Sequence, residues 1–208
     1  MAEADDLTPR QRFLRATEDM LRDAGMSGTG IKDVVARSGA PIGSLYHYFP
    51  GGKTQLVSES LRIHAARVPR LIDRFFDGRR RASAAIRALF DTAAAEFERS
   101  GAAKGCAVGA VALDLLPQDA EIREICHEAF ASWVSDIAPR LPLENERARR
   151  SFATMIVVAL EGGFVLSRAA AHGQPFREAG KWLSASLAAA EPTSTARRRR
   201  SPKSDVKR

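Results

Sequence analysis

Between Ala40 and Lys53 the chain gathers side chains suited to holding a polyanion and touching base edges. Gly43 and Ser44 are small enough to let another surface come close. Tyr46, His47 and Tyr48 follow with three polar tips, and Lys53 adds a positive charge where a new helix should open. Phosphate oxygens want donors of these kinds, with exposed backbone N–H groups at a helix start. Groupings for bond-making chemistry are missing. The four histidines, at 47, 64, 127 and 172, stand at no metal-ligand spacing, and no GxSxG, GxxxxGKS/T, HExxH or GxGxxG fingerprint occurs. No metal or cofactor is implied, and nothing argues for an enzyme.

Those side chains need a helix to carry them and a second helix to hold it. Ile31, Val34 and Val35 lie on one face at helical spacing, which predicts a short helix ahead of Gly39. Gly39 stands where a helix end must turn left-handed, and Pro41 presets the first-turn torsion of a new helix. From Ile42 to Phe49 the second helix keeps Leu45 and Phe49 four residues apart as anchors. Two short helices joined by so tight a turn form a helix-turn-helix, whose second helix enters the major groove.

The run Ala40-Pro41-Ile42-Gly43-Ser44-Leu45-Tyr46-His47-Tyr48-Phe49-Pro50-Gly51-Gly52-Lys53 resembles the recognition helix of the tetracycline-repressor (TetR) family of bacterial regulators. Its Phe-Pro-Gly-Gly-Lys ending is similar to the LmrA/YxaF-type subgroup, which responds to drugs or plant phenolics. The resemblance implies DNA contacts at Thr29, Lys32, Ile42, Gly43, Ser44, Tyr46, His47, Tyr48 and Lys53. Thr29 is also placed to cap the helix after it. Gly30 departs from the usual serine or threonine, which removes one possible contact. Ile42 replaces a position that is polar in many relatives and offers only apolar contact, for instance to a thymine methyl.

Of 208 residues, 45% are hydrophobic, ample for a core, and no apolar run near bilayer-spanning length is read. The start, MAEADDLTPRQR, has no apolar segment of the secretion type. Cys106 and Cys126 lack ligand spacing and read as buried thiols of a reducing cytoplasm. Net charge is +7, but seven basic residues and one acid fall from Arg197 onward; the remainder, 25 basic against 24 acidic, carries only +1. The high isoelectric point therefore belongs to a tail without apolar periodicity, expected to be disordered. That tail either adds salt-sensitive DNA affinity or is merely solvated.

The other elements follow from capping and periodicity. Thr8-Pro9-Arg10-Gln11 is a capping-box pattern, so a helix should start at Pro9, bury Phe13, Leu14, Thr17, Met20, Leu21 and Ala24, and end at Gly25. Arg10, Arg12 and Arg15 lie off that stripe. A long helix from Lys53 to about Phe76 should face Leu56, Val57, Leu61, Val68 and Leu71 inward, with Pro69 kinking or weakening it. Gly78 and Arg79-Arg80-Arg81 break the chain. Helices should follow over Ser83–Arg99, Pro117–Leu141, Glu144–His172 and Phe176–Ala189, with a small apolar stretch at Gly105–Asp114 resembling the same subgroup. His127, at the edge of its helix face, reads as a hydrogen-bonded core residue.

The last long helix but one is apolar nearly all round and needs two partners. Its Gly162 and Gly163 would let another backbone come close. The resemblance implies that the final pair packs on a two-fold copy as a four-helix interface. Glu161 and Arg168 are either polar pairs of that interface or polar groups of a pocket. Pocket candidates are Phe97, Cys106, Val108, Phe130, Trp133, Met155 and Phe164, whose aromatic and sulfur lining would suit a small apolar or aromatic effector.

The expected molecule is all-α. It has a helix-turn-helix DNA-binding domain at 8–55, a ligand-binding and dimerisation domain at 56–190, and a basic tail at 191–208. Its expected function is that of a cytoplasmic, homodimeric regulator, a repressor released from a palindromic double-stranded operator by its effector, with no membrane partner. Two alternatives stand beside it: a sequence-blind architectural DNA-binding protein, and a helical enzyme that binds a small molecule.

Overall fold

The computed structural model describes residues 7–78 and 81–191; the basic tail from 192 onward and Arg79-Arg80 lie outside the described residues. Among these there is no strand. Nine α-helices follow one another: α1 (Pro9–Ala24), α2 (Ile31–Ser38), α3 (Ile42–Tyr48), α4 (Gly52–Phe76), α5 (Ala82–Arg99), α6 (Ala107–Leu113), α7 (Ala120–Ile137), α8 (Glu146–Ala170) and α9 (Gln174–Ala188). A single 3₁₀ turn, Ala138–Arg140, extends α7.

Local chemistry sets the ends of the first helices. The Thr8 side chain accepts from the Gln11 backbone N–H while the Gln11 side chain accepts from that of Thr8, the reciprocal cap read from the sequence. Ala16, rather than Ala24, completes the buried stripe of α1. Gly39 adopts φ 62°, ψ 15°, a left-handed conformation that a side chain would strain. Around it the Ser38 hydroxyl accepts from the Ala40 N–H at 3.1 Å, and Arg12 donates to the Gly39 carbonyl at 3.4 Å. The turn between α2 and α3 is thus held from both sides.

Two hydrophobic clusters result. The smaller joins Phe13, Leu14, Ala16 and Met20 of α1 to Val34, Ala40, Leu45, Phe49 and Leu56. Phe13 and Phe49 meet edge to face, with ring centroids 6.3 Å apart. The larger takes Leu21, then Val57 and Leu61, and continues through α5, α6, α7, α8 and α9. Helix α4 serves both cores, giving Leu56 and Ile63 to the smaller and Val57 and Leu61 to the larger.

Along α4 the structure corrects one inward residue. Leu71 is exposed, whereas Ile72 and Phe75 are buried. Eleven residues from Leu61 come close to a whole number of helical turns, so Ile72 returns to Leu61's face and Leu71 falls about 100° away. Helix α4 continues through Pro69. The missing N–H of proline would leave the Ala65 carbonyl without its intrahelical partner. The Trp133 indole N–H of α7 donates to that carbonyl at 3.3 Å, so the lost bond becomes a tie between helices.

The reading of α8 also changes. It is 25 residues long, long and apolar enough by length and composition alone to cross a membrane. The sequence reading missed this because Glu161 and Arg168 interrupt the run. In the fold, Ala153, Ile156, Val157 and Gly163 are buried against the helical body, and Gly163 lies under the Phe176 ring of α9. Its other side, with Met155, Val158, Val165 and Leu166, stays exposed, as does Trp182 of α9.

A candidate nucleic-acid interface and two cavities

Leu45 and Phe49 are fully buried and clamp α3 to α1 and α4. With the anchors fixed, helical spacing turns Ile42, Gly43, Tyr46 and His47 outward, and all four are exposed. Ser44 and Lys53 are half-buried, and Lys32 projects from α2 into solvent. The Arg10 guanidinium stands 5.6 Å over the Phe49 ring and pairs with Glu59, bracing α3 from behind. The exposed α3 donors, with Lys32 of α2 and Lys53 of α4, are the groups of this head open to a polyanion.

Two of the expected contacts are placed differently. Thr29 is 1% exposed, its hydroxyl donates to the Gly25 carbonyl at 2.7 Å, and Gly30 is the N-cap of α2. Thr29 therefore closes the α1–α2 connection from inside and has no hydroxyl to offer outward. Tyr48 is half-buried against the small core, its ring edge to face with His47 at 5.1 Å. It supports the surface more than it extends it.

Among the described residues, two cavities of the body share a wall. The larger, about 810 Å³, lies among α6, α7 and α8 and is lined by Phe130, Phe164, Val134 and Val157. The second, about 580 Å³, lies among α4, α5, α7 and α8 and is lined by Phe97, Trp133, Leu160 and Ile72. Gly105, Cys106, Val157, Glu161 and Phe164 line both. Five of the seven expected pocket residues thus come together: Phe97, Cys106, Phe130, Trp133 and Phe164. Val108 is fully buried in packing outside both linings, and Met155 is 51% exposed on the outer face of α8. The Met155 error has a helical cause: Met155 is one residue from Ile156, so it projects about 100° away from that buried side chain.

Glu161 and Arg168 belong to the cavity wall. Burial pushes the Glu161 carboxyl up to about 7, opposed only by a hydrogen bond with the Cys106 thiol. Burial, then the neighbouring Glu161 charge, drives the Cys106 thiol well above its ordinary value, so it is no thiolate nucleophile. Gly109 of α6 leaves the room the carboxylate occupies; a Cβ there would collide with it. Arg168 donates to the carbonyls of Arg22, at 3.0 Å, and Ala103, at 2.5 Å. Arg22 in turn donates to the Gly105 carbonyl at 2.9 Å. The cavity wall is therefore hydrogen-bonded to the end of α1.

Sequence reasoning missed His127, read as a core histidine but exposed on the larger cavity. Its signal was available: residues 127, 130, 131 and 134 recur at i, i+3, i+4 and i+7, so His127 shares the face of Phe130 and Val134. His64 was also passed over. Its Nδ1 lies 3.0 Å from Glu18, which Arg67 also pairs, and its ring meets Trp133. Burial opposes ionisation of Glu18, but His64 and Arg67 together hold its carboxyl below the ordinary range. Among the described residues no three His, Cys, Asp or Glu side chains are grouped to hold a metal ion.

Comparison with known proteins agrees with this geometry. Residues 13–59 match the family model of bacterial regulatory proteins of the tetR family. Residues 82–182 match that of the LmrA/YxaF-like transcriptional regulator C-terminal domain. The chain is similar to the uncharacterized HTH-type transcriptional regulator YxaF of Bacillus subtilis, 32% identical over 76% of this chain and 84% of that one. It is also similar to the HTH-type regulator LmrA of the same organism, 29% identical over 80% and 89%. A solved TetR regulatory protein from Rhodobacter sphaeroides shares the fold, with TM-score 0.75 at 22% identity over 84% and 96% of the chains. Also similar in fold is a TetR family regulator, CifR, solved as a cysteine mutant with 26-base-pair operator DNA, TM-score 0.73 at 18% identity over 85% and 95%. A head that turns Tyr46 and His47 outward, on a body of LmrA/YxaF type, makes this chain a DNA-binding transcriptional regulator of the TetR family.

Proposed function

We propose that the chain is a cytoplasmic repressor that binds a palindromic operator as a homodimer and leaves it when an effector occupies the body. The observation that carries this is the double role of the wall around Gly105, Glu161 and Arg168. It lines the cavities and hydrogen-bonds to Arg22 at the end of α1. A ligand that fits the wall better in another arrangement shifts the heads, by no more than its differential affinity for the two states. The exposed face of α8 and α9, with Val158, Val165, Leu166 and Trp182, is the dimer surface in this reading. Such a dimer must set its two α3 helices about 34–36 Å apart, one duplex turn.

On this account residues 8–55 read DNA and 56–190 bind ligand and dimerise. Lys32 and Lys53 meet phosphate; Ile42, Gly43, Ser44, Tyr46 and His47 face the groove, with Tyr48 behind them. Phe97, Cys106, Phe130, Trp133 and Phe164 receive the effector. The operator complex solved for CifR supports the DNA partner. Gel shifts on the region upstream of the chain's own gene test the reading. Tyr46→Ala should weaken binding at least about thirtyfold, since each lost base contact counts twice in a dimer. Lys53→Ala should weaken it and flatten the salt dependence. Unchanged affinity in both variants would overturn the contact assignment. The architectural alternative is separated by deleting residues 193–208, which a specific regulator tolerates and a sequence-blind binder does not.

A further inference from the structure

We propose that the end of the body farthest from the reading helix holds a second duplex of DNA, without regard to its sequence, while the head holds its own. Two basic segments more than a hundred residues apart are rooted side by side there. The α4–α5 connection carries Arg79, Arg80 and Arg81, and Arg81 is the exposed N-cap of α5. Glu191, where the described residues end, accepts from the Ser83 backbone N–H at 2.8 Å and from the Ser83 hydroxyl at 2.9 Å. Beyond it in the chain come four arginines at 197–200, then Lys203, Lys207 and Arg208. Residues 77–81 and 191–208 together hold ten basic side chains against three acids, Asp77, Glu191 and Asp205. The other 22 basic and 22 acidic residues cancel, so the whole formal charge of +7 belongs to these two segments. Like charges gathered in this way repel one another unless a polyanion meets them.

The place of these charges keeps the arginine run off the operator held by the same head. Helix α4 leaves the head at Gly52, and its 25 residues run about 36 Å to Phe76. Helix α5 then returns along the body, for Phe97 near its end lines a cavity with Arg22 of α1. Helix α9 runs against α5: Gly173 lies at Ala94 and Glu98, Gly180 at Phe90, and Glu191 at Ser83. Glu191 therefore stands at the pole where α4 ends. At about 3.5 Å per residue, the Arg200 backbone lies at most about 32 Å beyond it, short of α4's first turn. The DNA face of α3 is farther still. Only Lys203, Lys207 and Arg208 have chain enough to pass that distance, and then only at full extension. Composition selects duplex phosphate as the partner, because guanidinium forks match phosphate oxygens. Residues 192–208 contain no aromatic side chain to stack on the bases of a single strand and no Leu, Ile or Met to enter a bilayer. With a reading helix at one pole and this charge at the other, one molecule ties two duplexes together. The inference rests on the DNA-binding role of the head and is independent of any effector.

A duplex selected from a random pool for tight binding to the full-length protein is fixed to beads, loaded with protein and washed. A labelled duplex of unrelated sequence is then added at about 50 and about 200 mM salt. The wild-type chain should capture it at the lower salt, with affinity falling at least about a hundredfold at the higher. Deleting residues 193–208 should weaken this capture at least about tenfold, and adding Arg79→Gln, Arg80→Gln and Arg81→Gln should abolish it. Both variants should hold the fixed duplex within about threefold of wild type at the higher salt, where charges so far away are screened. Should the combined variant fail to fold, the deletion decides alone. No capture by the wild-type chain overturns the proposal. So does a deletion that weakens the fixed duplex about tenfold and flattens its salt dependence, which would put the tail on the operator. Tighter binding of single-stranded RNA or of phosphatidylserine vesicles than of the second duplex overturns it as well. Tyr46→Ala separates this from the reading beneath it. If Tyr46→Ala still holds the fixed duplex, the head assignment fails. If it loses that duplex while the deletion captures the second as wild type does, the second-duplex proposal fails alone.

Discussion

Replacing Glu161 by glutamine should stabilise the protein at alkaline pH, the reverse of what removing a buried polar contact ordinarily does. The carboxyl stands at about 7 in the folded chain against an ordinary 4.5, because burial disfavours its charge. Between those values the folded state holds a proton that the unfolded chain has released. Stability from this group is therefore fully present below pH 4.5 and is lost as pH rises through 7. The difference corresponds to at most about 3 kcal/mol. Glutamine keeps the shape without the charge, so the two proteins should be nearly equal at pH 4.5. At pH 8 Glu161→Gln should be the more stable by up to that amount, on the order of 6–10 °C in melting temperature for a chain of this size. Urea unfolding at both pH values, at equal protein concentration because a dimer's stability depends on it, measures the gap. A parallel pH decline in both proteins would refute the assignment of that titration to Glu161.

Two other perturbations follow from the body's hydrogen bonds. Trp133→Phe should cost about 1–3 kcal/mol by leaving the Ala65 carbonyl unpaired; in a Pro69→Ala background, where residue 69 regains its N–H, the same change should cost less, as a double-mutant cycle by urea unfolding would show. The Arg177 guanidinium and the Gly173 N–H hold the exposed Glu98 carboxyl down to about 2, so this contact contributes above pH 4.5 and is lost as pH falls toward 2; Arg177→Ala should move the acid-unfolding midpoint upward, and an unmoved midpoint would deny the contact any role.

What could be read from the chain beforehand divides along a physical line. Capping and turn chemistry act within a few residues, so the Thr8–Gln11 box, the left-handed Gly39 and the anchors Leu45 and Phe49 were legible at once. Helix faces were legible where apolar residues recur regularly. They were not where adjacent apolar residues compete, as at Leu71 beside Ile72 and Met155 beside Ile156. Contacts across distant elements left no local trace. Nothing near Pro69 says that Trp133 will mend its broken turn. Glu161 was read as either interface or pocket because helical spacing places it between the two faces of α8; only the packing of α6, with Gly109 opposite, turns it to the cavity.

Footprinting of the wild-type protein on its own upstream DNA tests the central claim most directly, with Tyr46→Ala as the control. The account predicts protection of two half-sites centred about 10 base pairs apart or a multiple of it, two chains per site, lost in Tyr46→Ala without loss of fold. A single half-site, protection without sequence preference, or an undiminished footprint from Tyr46→Ala would contradict it.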